Sequence, residues 1–208
     1  MTAPSAADLA DRIRAAAAVL RRGGIVAYPT ETFYGLGALA ADGAAVERLT
    51  RAKERPDLKP LPLLAADLGQ VEAVADLPPL ARRLAAAFWP GPLTLVVPAR
   101  PGLHPAITGG GATVGIRVTS GAVAARLALE AGGPLVATSA NLSGEPPPAS
   151  PAALAPALVA RLDLVLDAGA APGGLPSTVV AVEGDRLRLL RDGAVPFEAV
   201  EALRLAGA

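Results

Sequence analysis

Apolar residues recur at helical spacing over residues 5–22, where Leu9, Ile13, Ala17 and Leu20 share one face and Asp8, Asp11, Arg12 and Arg14 stay polar. Ser5 can cap this helix and Gly23-Gly24 ends it. The unbroken run IVAYP at 25–29 predicts a short buried strand. Further helices are expected at 43–53, 78–88, 121–131, 151–161 and 197–205, with WPGP stopping the second of these. Strands are expected at 61–64, 93–98, 113–118, 135–138 and 164–167. Residues 177–182 and 186–191 predict a hairpin about Glu183-Gly184-Asp185. Strands alternating with helices make this an α/β chain. The late hairpin adds antiparallel pairing, so a single mixed sheet with flanking helices is expected. No fixed-period repeat or long linker interrupts it, and the Pro-rich run 144–151 reads as a loop. Residues 1–208 are therefore taken as one domain without a C-terminal extra domain.

Composition narrows the chemistry. The 208 residues include no cysteine, which excludes disulfides, Cys-based zinc, iron–sulfur clusters and a thiol nucleophile. His104 is the single histidine, so a His-rich metal site is excluded and any Ser-His-Asp triad would have to use it. Aromatics are 3% of the chain, so the core must be built from Leu, Val and Ala. Net charge is zero, which argues against a general electrostatic grip on nucleic acid or acidic membrane; local patches leave room for weak RNA binding. No apolar run is long enough for a membrane span, and no signal peptide precedes the first helix, so a cytoplasmic protein is expected. Depletion of Asn, Gln, Cys and Met fits a thermophile, and a GC-rich genome explains the Ala, Gly, Pro and Arg excess equally well.

Two motif-like stretches carry no chemistry. Gly35-Leu36-Gly37 matches part of a dinucleotide fingerprint, but TETFY separates it from the first strand, so these glycines read as a tight turn. Gly109-Gly110-Gly111 resembles a phosphate nest without the P-loop pattern.

The unusual residues gather elsewhere. Of 19 basic residues only Lys53 and Lys59 are lysine, and both lie in KERPDLK with Arg55. Point-charge ammoniums beside a planar guanidinium suit a polyphosphate, whereas a solvated helix end would use the same cations for its dipole. Hydroxyls cluster after predicted strands: Thr30, Thr32 and Tyr34 with Glu31 among them, Thr138-Ser139-Ala140-Asn141, and Ser177-Thr178. Ligands of open α/β sheets bind beyond strand ends, although hydroxyls there also serve as caps and turns. Arg117 and Arg191 each sit in a strand, where an inward cation is costly unless an anion meets it.

Taken in order, YPTETFYGLG at 28–37, KERPDLKPL at 53–61, WPGPLT at 89–94, TVGIRV at 113–118, SANLSG at 139–144, PSTVV at 176–180 and LLRDG at 189–193 resemble the YrdC-type threonylcarbamoyl-AMP synthase family. The resemblance implies a twisted mixed sheet with a large, positively lined cavity. It implies that L-threonine, bicarbonate or CO₂, and ATP with Mg²⁺ give threonylcarbamoyl-AMP and pyrophosphate. A partner transferase then modifies adenosine 37 of tRNAs reading codons that begin with A. By motif, Thr32, Arg117, the Ala137 backbone and Ser177 would meet threonine. Lys53, Arg55, Lys59, Thr113, Ser139, Asn141 and Arg191 would meet ATP, with Lys53, Arg55, Ser139 and Asn141 nearest the reacting groups. Where many members have Pro-x-His after the IRV strand, this chain has Thr119-Ser120-Gly121. The run 146–151 is the lid candidate. The competing expectation is a binding module for double-stranded RNA or tRNA without adenylation, against which zero net charge and the lack of an aromatic platform argue.

Overall fold

The computed structural model describes residues 5–54, 59–142 and 144–206. In chain order the elements are α1 (Ala6–Arg21), β1 (Val26–Pro29), β2 (Tyr34–Gly37), α2 (Gly43–Ala52), β3 (Leu63–Ala65), α3 (Leu68–Glu72), α4 (Pro79–Phe88), β4 (Leu93–Pro98) and α5 (Pro105–Thr108). They continue with β5 (Thr113–Val118), α6 (Ala122–Ala131), β6 (Leu135–Val136), β7 (Thr138–Ser139), α7 (Pro156–Val159), β8 (Leu164–Val165), β9 (Thr178–Glu183), β10 (Arg186–Arg191) and α8 (Phe197–Leu205). Among the described residues no helix is long and apolar enough to cross a membrane.

The fold is α/β with mixed pairing, but the strands divide between two sheets where a single sheet was expected. One sheet runs β7-β2-β1-β8 and the other β10-β9-β4-β5-β3-β6. Parallel pairs (β1 with β8, β3 with β5, β4 with β9) sit beside antiparallel ones in both. The late hairpin joins the six-stranded sheet through β9, whereas β8 joins the other. The expected strand 135–138 is split between the sheets: β6 pairs with β3, and β7 pairs with β2. Ala137 is the crossing point, and its N–H donates to Pro62 O at 2.8 Å. The sheets therefore part where strand ends and hydroxyl-rich loops meet.

Local chemistry sets the elements. The Ser5 hydroxyl accepts from Asp8 N, and Asp42 and Asp67 cap α2 and α3 in the same way. The buried face of α1, with Ile13, Ala16, Ala17 and Leu20, shares a cluster with Ala124, Leu127 and Ala128 of α6, where alanines let two helices approach closely. The expected helix 151–161 is instead a 3₁₀ turn, Pro151–Ala153, followed by α7. Leu154 and Ala155 are extended, and Ala155 precedes Pro156, which drives it out of the helical region.

β2 contradicts the reading of Gly35 and Gly37 as a turn. Both glycines are strand residues, paired with Tyr28 and Val26 of β1. The Tyr28 ring lies over Gly37, where a Cβ would come within 2.6 Å of Cε1, so the glycine provides a close approach. Two glycines hide the alternation that marks a strand, and only pairing with β1 and β7 creates it.

Candidate functional site

Where the two sheets part lies a cavity of about 340 Å³, within the roughly 300–1,000 Å³ span of small-molecule sites. Its wall includes Thr30, Thr32, Arg117, Ala137, Ser139, Asn141, Ser177 and Arg191. Seven residues assigned to threonine or ATP by motif, spread from position 32 to position 191, thus meet in one place.

The Thr30–Tyr34 segment is a tight hydroxyl turn. Thr30 Oγ1 donates to Phe33 O at 2.8 Å, accepts from Thr32 N, and lies 3.2 Å from Thr32 Oγ1. Two loops are tied to it. Tyr34 N donates to Pro148 O, Tyr34 OH donates to Gly169 O at 2.6 Å, and Gly173 N donates to Thr32 O at 2.6 Å. Ala171 N also reaches Ala149 O. The lid candidate 146–151 is therefore fastened at Pro148 and Ala149 in this structure, with Pro147 in the cavity wall.

Arg117 lies near the end of β5, and its Nε donates to Glu31 Oε1 at 2.8 Å. Burial by itself raises the Glu31 carboxyl, but the Arg117 charge and the hydrogen bonds from Thr119 and Arg117 outweigh it and hold the group below its ordinary value. The anion required by an inward arginine is thus built into the chain.

Arg191 is aimed by an irregularity. The β9–β10 register shifts between Leu189 and Arg191, which sets Arg191 opposite Val179. Its guanidinium donates from Nε and Nη2 to Ser177 O, and from Nη2 to Ser177 Oγ at 2.8 Å. Ser177 Oγ also lies 3.0 Å from Thr94 Oγ1. Burial and the nearby Arg117 charge both lower the Arg191 pKa.

Asn141 turns its amide nitrogen onto the backbone, donating to Leu142 O at 2.9 Å and to Glu145 O. Its Oδ1 is buried with no hydrogen-bond partner among the described residues, a vacant acceptor in the cavity wall.

The basic heptapeptide behaves differently from a single solvated patch. Lys53, at the C-terminal end of α2, is 4% exposed. Its Nζ donates to Thr138 Oγ1 at 3.0 Å and to Ser139 O, so it braces the cavity wall from behind. Lys59 is exposed and lies outside the residues that line the cavity. Arg55 falls outside the described residues. Upstream, Arg48 pairs with Asp163 and Arg51 with Glu47, while Arg161 reaches Glu54, all around a separate shallow depression. Thr113 is exposed at the start of β5, with Arg117 close to the opposite end, and is absent from the lining. Glu31, Thr94 and Thr119 were given no role by sequence alone. The one signal for Glu31 was an acid adjoining a buried strand in a chain whose strands carry inward cations; the two threonines had none.

The family model described as "Telomere recombination" (Sua5_yciO_yrdC) matches residues 18–193. The Pyrococcus abyssi protein named threonylcarbamoyl-AMP synthase is 41% identical over 191 residues, which cover 91% of this chain and 56% of that protein. This chain thus spans little more than half of that relative. A Chromohalobacter salexigens protein of the same name is 40% identical over 183 residues, covering 87% of this chain and 98% of that protein. The crystal structure of P. abyssi Sua5 complexed with L-threonine superimposes with a TM-score of 0.87 at 41% identity, covering 92% of this chain and 56% of that one.

Proposed function

This chain belongs to the Sua5/YciO/YrdC family, and from that premise we propose that it forms L-threonylcarbamoyl-AMP and pyrophosphate from L-threonine, bicarbonate or CO₂, and ATP. The observation that carries the reading is the meeting of Thr32, Ser177 and Arg117 in one cavity beside Ser139, Asn141 and Arg191. Hydroxyls and a guanidinium fork suit an amino acid with a side-chain hydroxyl and a carboxylate. The naming of relatives as threonylcarbamoyl-AMP synthases supports the reaction, and the threonine complex of one solved relative supports the substrate.

The chemistry requires no covalent nucleophile, which suits a chain without cysteine. The amine nitrogen of threonine adds to the carbon of CO₂ and gives up one proton to solvent, which leaves a carbamate. A carbamate oxygen attacks the α-phosphorus, the bond to the β-phosphate oxygen breaks, and pyrophosphate leaves with the electron pair. The protein contributes position and charge. Thr32 and Ser177 face the threonine hydroxyl, Arg117 its carboxylate, and the Ala137 backbone the amino-acid chain. Asn141 Oδ1 supplies an acceptor for a substrate N–H. Arg191, Ser139, Lys53, Lys59, Arg55 and Thr113 are assigned to the nucleotide; Lys53 acts through the Ser139 segment that it holds. Mg²⁺ is assigned to the ATP phosphates, whose hard oxygens it prefers. Among the described residues no three His, Cys, Asp or Glu groups are gathered to hold a metal. Passage of the product to a transferase acting on adenosine 37 of tRNA, and a cytoplasmic location, belong to the same proposal.

Mass spectrometry of a reaction with ATP, threonine and ¹³C-bicarbonate tests it. A labelled, threonine-dependent acyl-adenylate is the expected product. Tight, steeply salt-dependent RNA binding without adenylate formation would instead mark an RNA-binding module.

A further inference from the structure

The guanidinium of Arg117 has two usable edges. The Nε edge is taken by Glu31 Oε1 at 2.8 Å. The other oxygen, Oε2, accepts from the Thr119 hydroxyl at 2.5 Å, and that hydroxyl accepts in turn from Gly121 N at 3.1 Å. The ion pair is enclosed, with side-chain exposures of 6% for Arg117 and 9% for Glu31. Among the described residues no group accepts from the two terminal nitrogens of Arg117, a residue of the cavity wall.

The Thr119-Ser120-Gly121 turn fits this arrangement. A Cβ on Gly121 would stand 2.9 Å from Glu31 N and 3.2 Å from Thr30 C, both backbone atoms that cannot give way cheaply. The glycine lets the turn press on the Glu31 segment while the threonine hydroxyl fixes the carboxylate. The departure from Pro-x-His thus coincides with a hydroxyl clamp on Glu31.

We propose that Glu31, clamped by Thr119, is a positioning residue that locks Arg117 by its Nε edge and thereby aims the terminal nitrogen fork at the carboxylate of the amino-acid substrate. The proposal rests on reading this cavity as an amino-acid site. An unheld arginine samples many rotamers and must be ordered by the ligand. One held by a charge-assisted bond is ordered beforehand, so ligand binding loses less freedom.

Calorimetric titration with threonine and with threonine amide, in the absence of ATP, tests this. Wild-type protein should prefer threonine to its amide by about tenfold or more. Glu31→Gln should weaken threonine by about tenfold and leave the amide within about twofold, collapsing the preference. Thr119→Val should move the same way by a smaller factor, and Thr119→Ser, which keeps the hydroxyl, should restore it. If Glu31→Gln fails to fold, the Thr119 pair decides, because the ion pair itself is retained. Threonine binding unchanged or tightened in Glu31→Gln overturns the proposal, as does equal loss of threonine and amide, the mark of a merely structural role. Wild-type protein that binds neither ligand overturns the amino-acid reading itself.

Discussion

The Arg191 guanidinium and the Ser177 hydroxyl share a 2.8 Å hydrogen bond across the hairpin that ends the six-stranded sheet, and the same arginine also holds the Ser177 carbonyl. One cation therefore fixes both the backbone and the side chain of a residue in the cavity wall. A nucleotide contact at Arg191 would act on the amino-acid end of the cavity through Ser177.

Ser177→Ala removes a hydroxyl that pairs with Arg191 and lies 3.0 Å from Thr94 Oγ1. The orphaned Thr94 hydroxyl should cost about 1–3 kcal/mol of stability. Threonine-dependent pyrophosphate release should fall at least tenfold, and discrimination against valine should narrow, because a site built to bond a hydroxyl rejects its isostere. In the wild type, serine should react weakly, since the missing methyl is worth only about 1–3 kcal/mol, and valine almost not at all. Equal rates with valine and threonine would sink the pocket assignment.

Lys53 is expected to serve both folding and turnover. Its burial at 4% exposure and its bonds to Thr138 and Ser139 add a structural load. Lys53→Met should lower stability by about 1–3 kcal/mol and raise the KM for ATP. Lys53→Arg should not rescue either, because a planar guanidinium does not fit a niche shaped for a compact ammonium. Paired urea melts and ATP saturation curves read the two effects separately.

Glu31 also sets an acid limb. Its folded pKa lies below the ordinary 4.5, so its contribution is fully present above about pH 4.5 and is lost as pH falls through the folded value. On acidification from pH 7 to 3, wild-type protein should lose more stability than Glu31→Gln, which has no proton to gain there. The difference between their urea midpoints, followed against pH, should narrow below pH 4.5.

Gly193, the glycine of LLRDG, packs on the backbone of the Ser177 segment. A Cβ there would collide with Pro176 O and stand 2.7 Å from Ser177 C and Thr178 N. Gly193→Ala should force these two segments apart, cost about 1–3 kcal/mol, and weaken threonine binding together with stability. Alanine tolerated at full stability would remove this account of the glycine.

Much of this was readable along the chain. The 5–22 and 43–53 helices announce themselves by apolar period, the first also by its Ser5 cap, all local features. The 93–98, 113–118 and 186–191 strands are apolar or alternating runs and form as expected. Seven candidate residues, Thr32, Arg117, Ala137, Ser139, Asn141, Ser177 and Arg191, do line one cavity, because each lies at or beside a strand end. β2 was not readable: YGLG acquires strand geometry only from neighbours on both sides. Nor was the break in 151–161, where prolines override apolar spacing.

The sequence by itself determined the α/β class, the absence of thiol and histidine-cluster chemistry, and the set of hydroxyls and cations available for work. Those follow from residue type and local period. Only tertiary structure decided that the strands split into two sheets at Ala137, that Lys53 turns inward, and that Glu31 meets Arg117. Those outcomes depend on which distant groups compensate a buried charge or an unpaired strand edge, and a linear chain does not state who its neighbours will be.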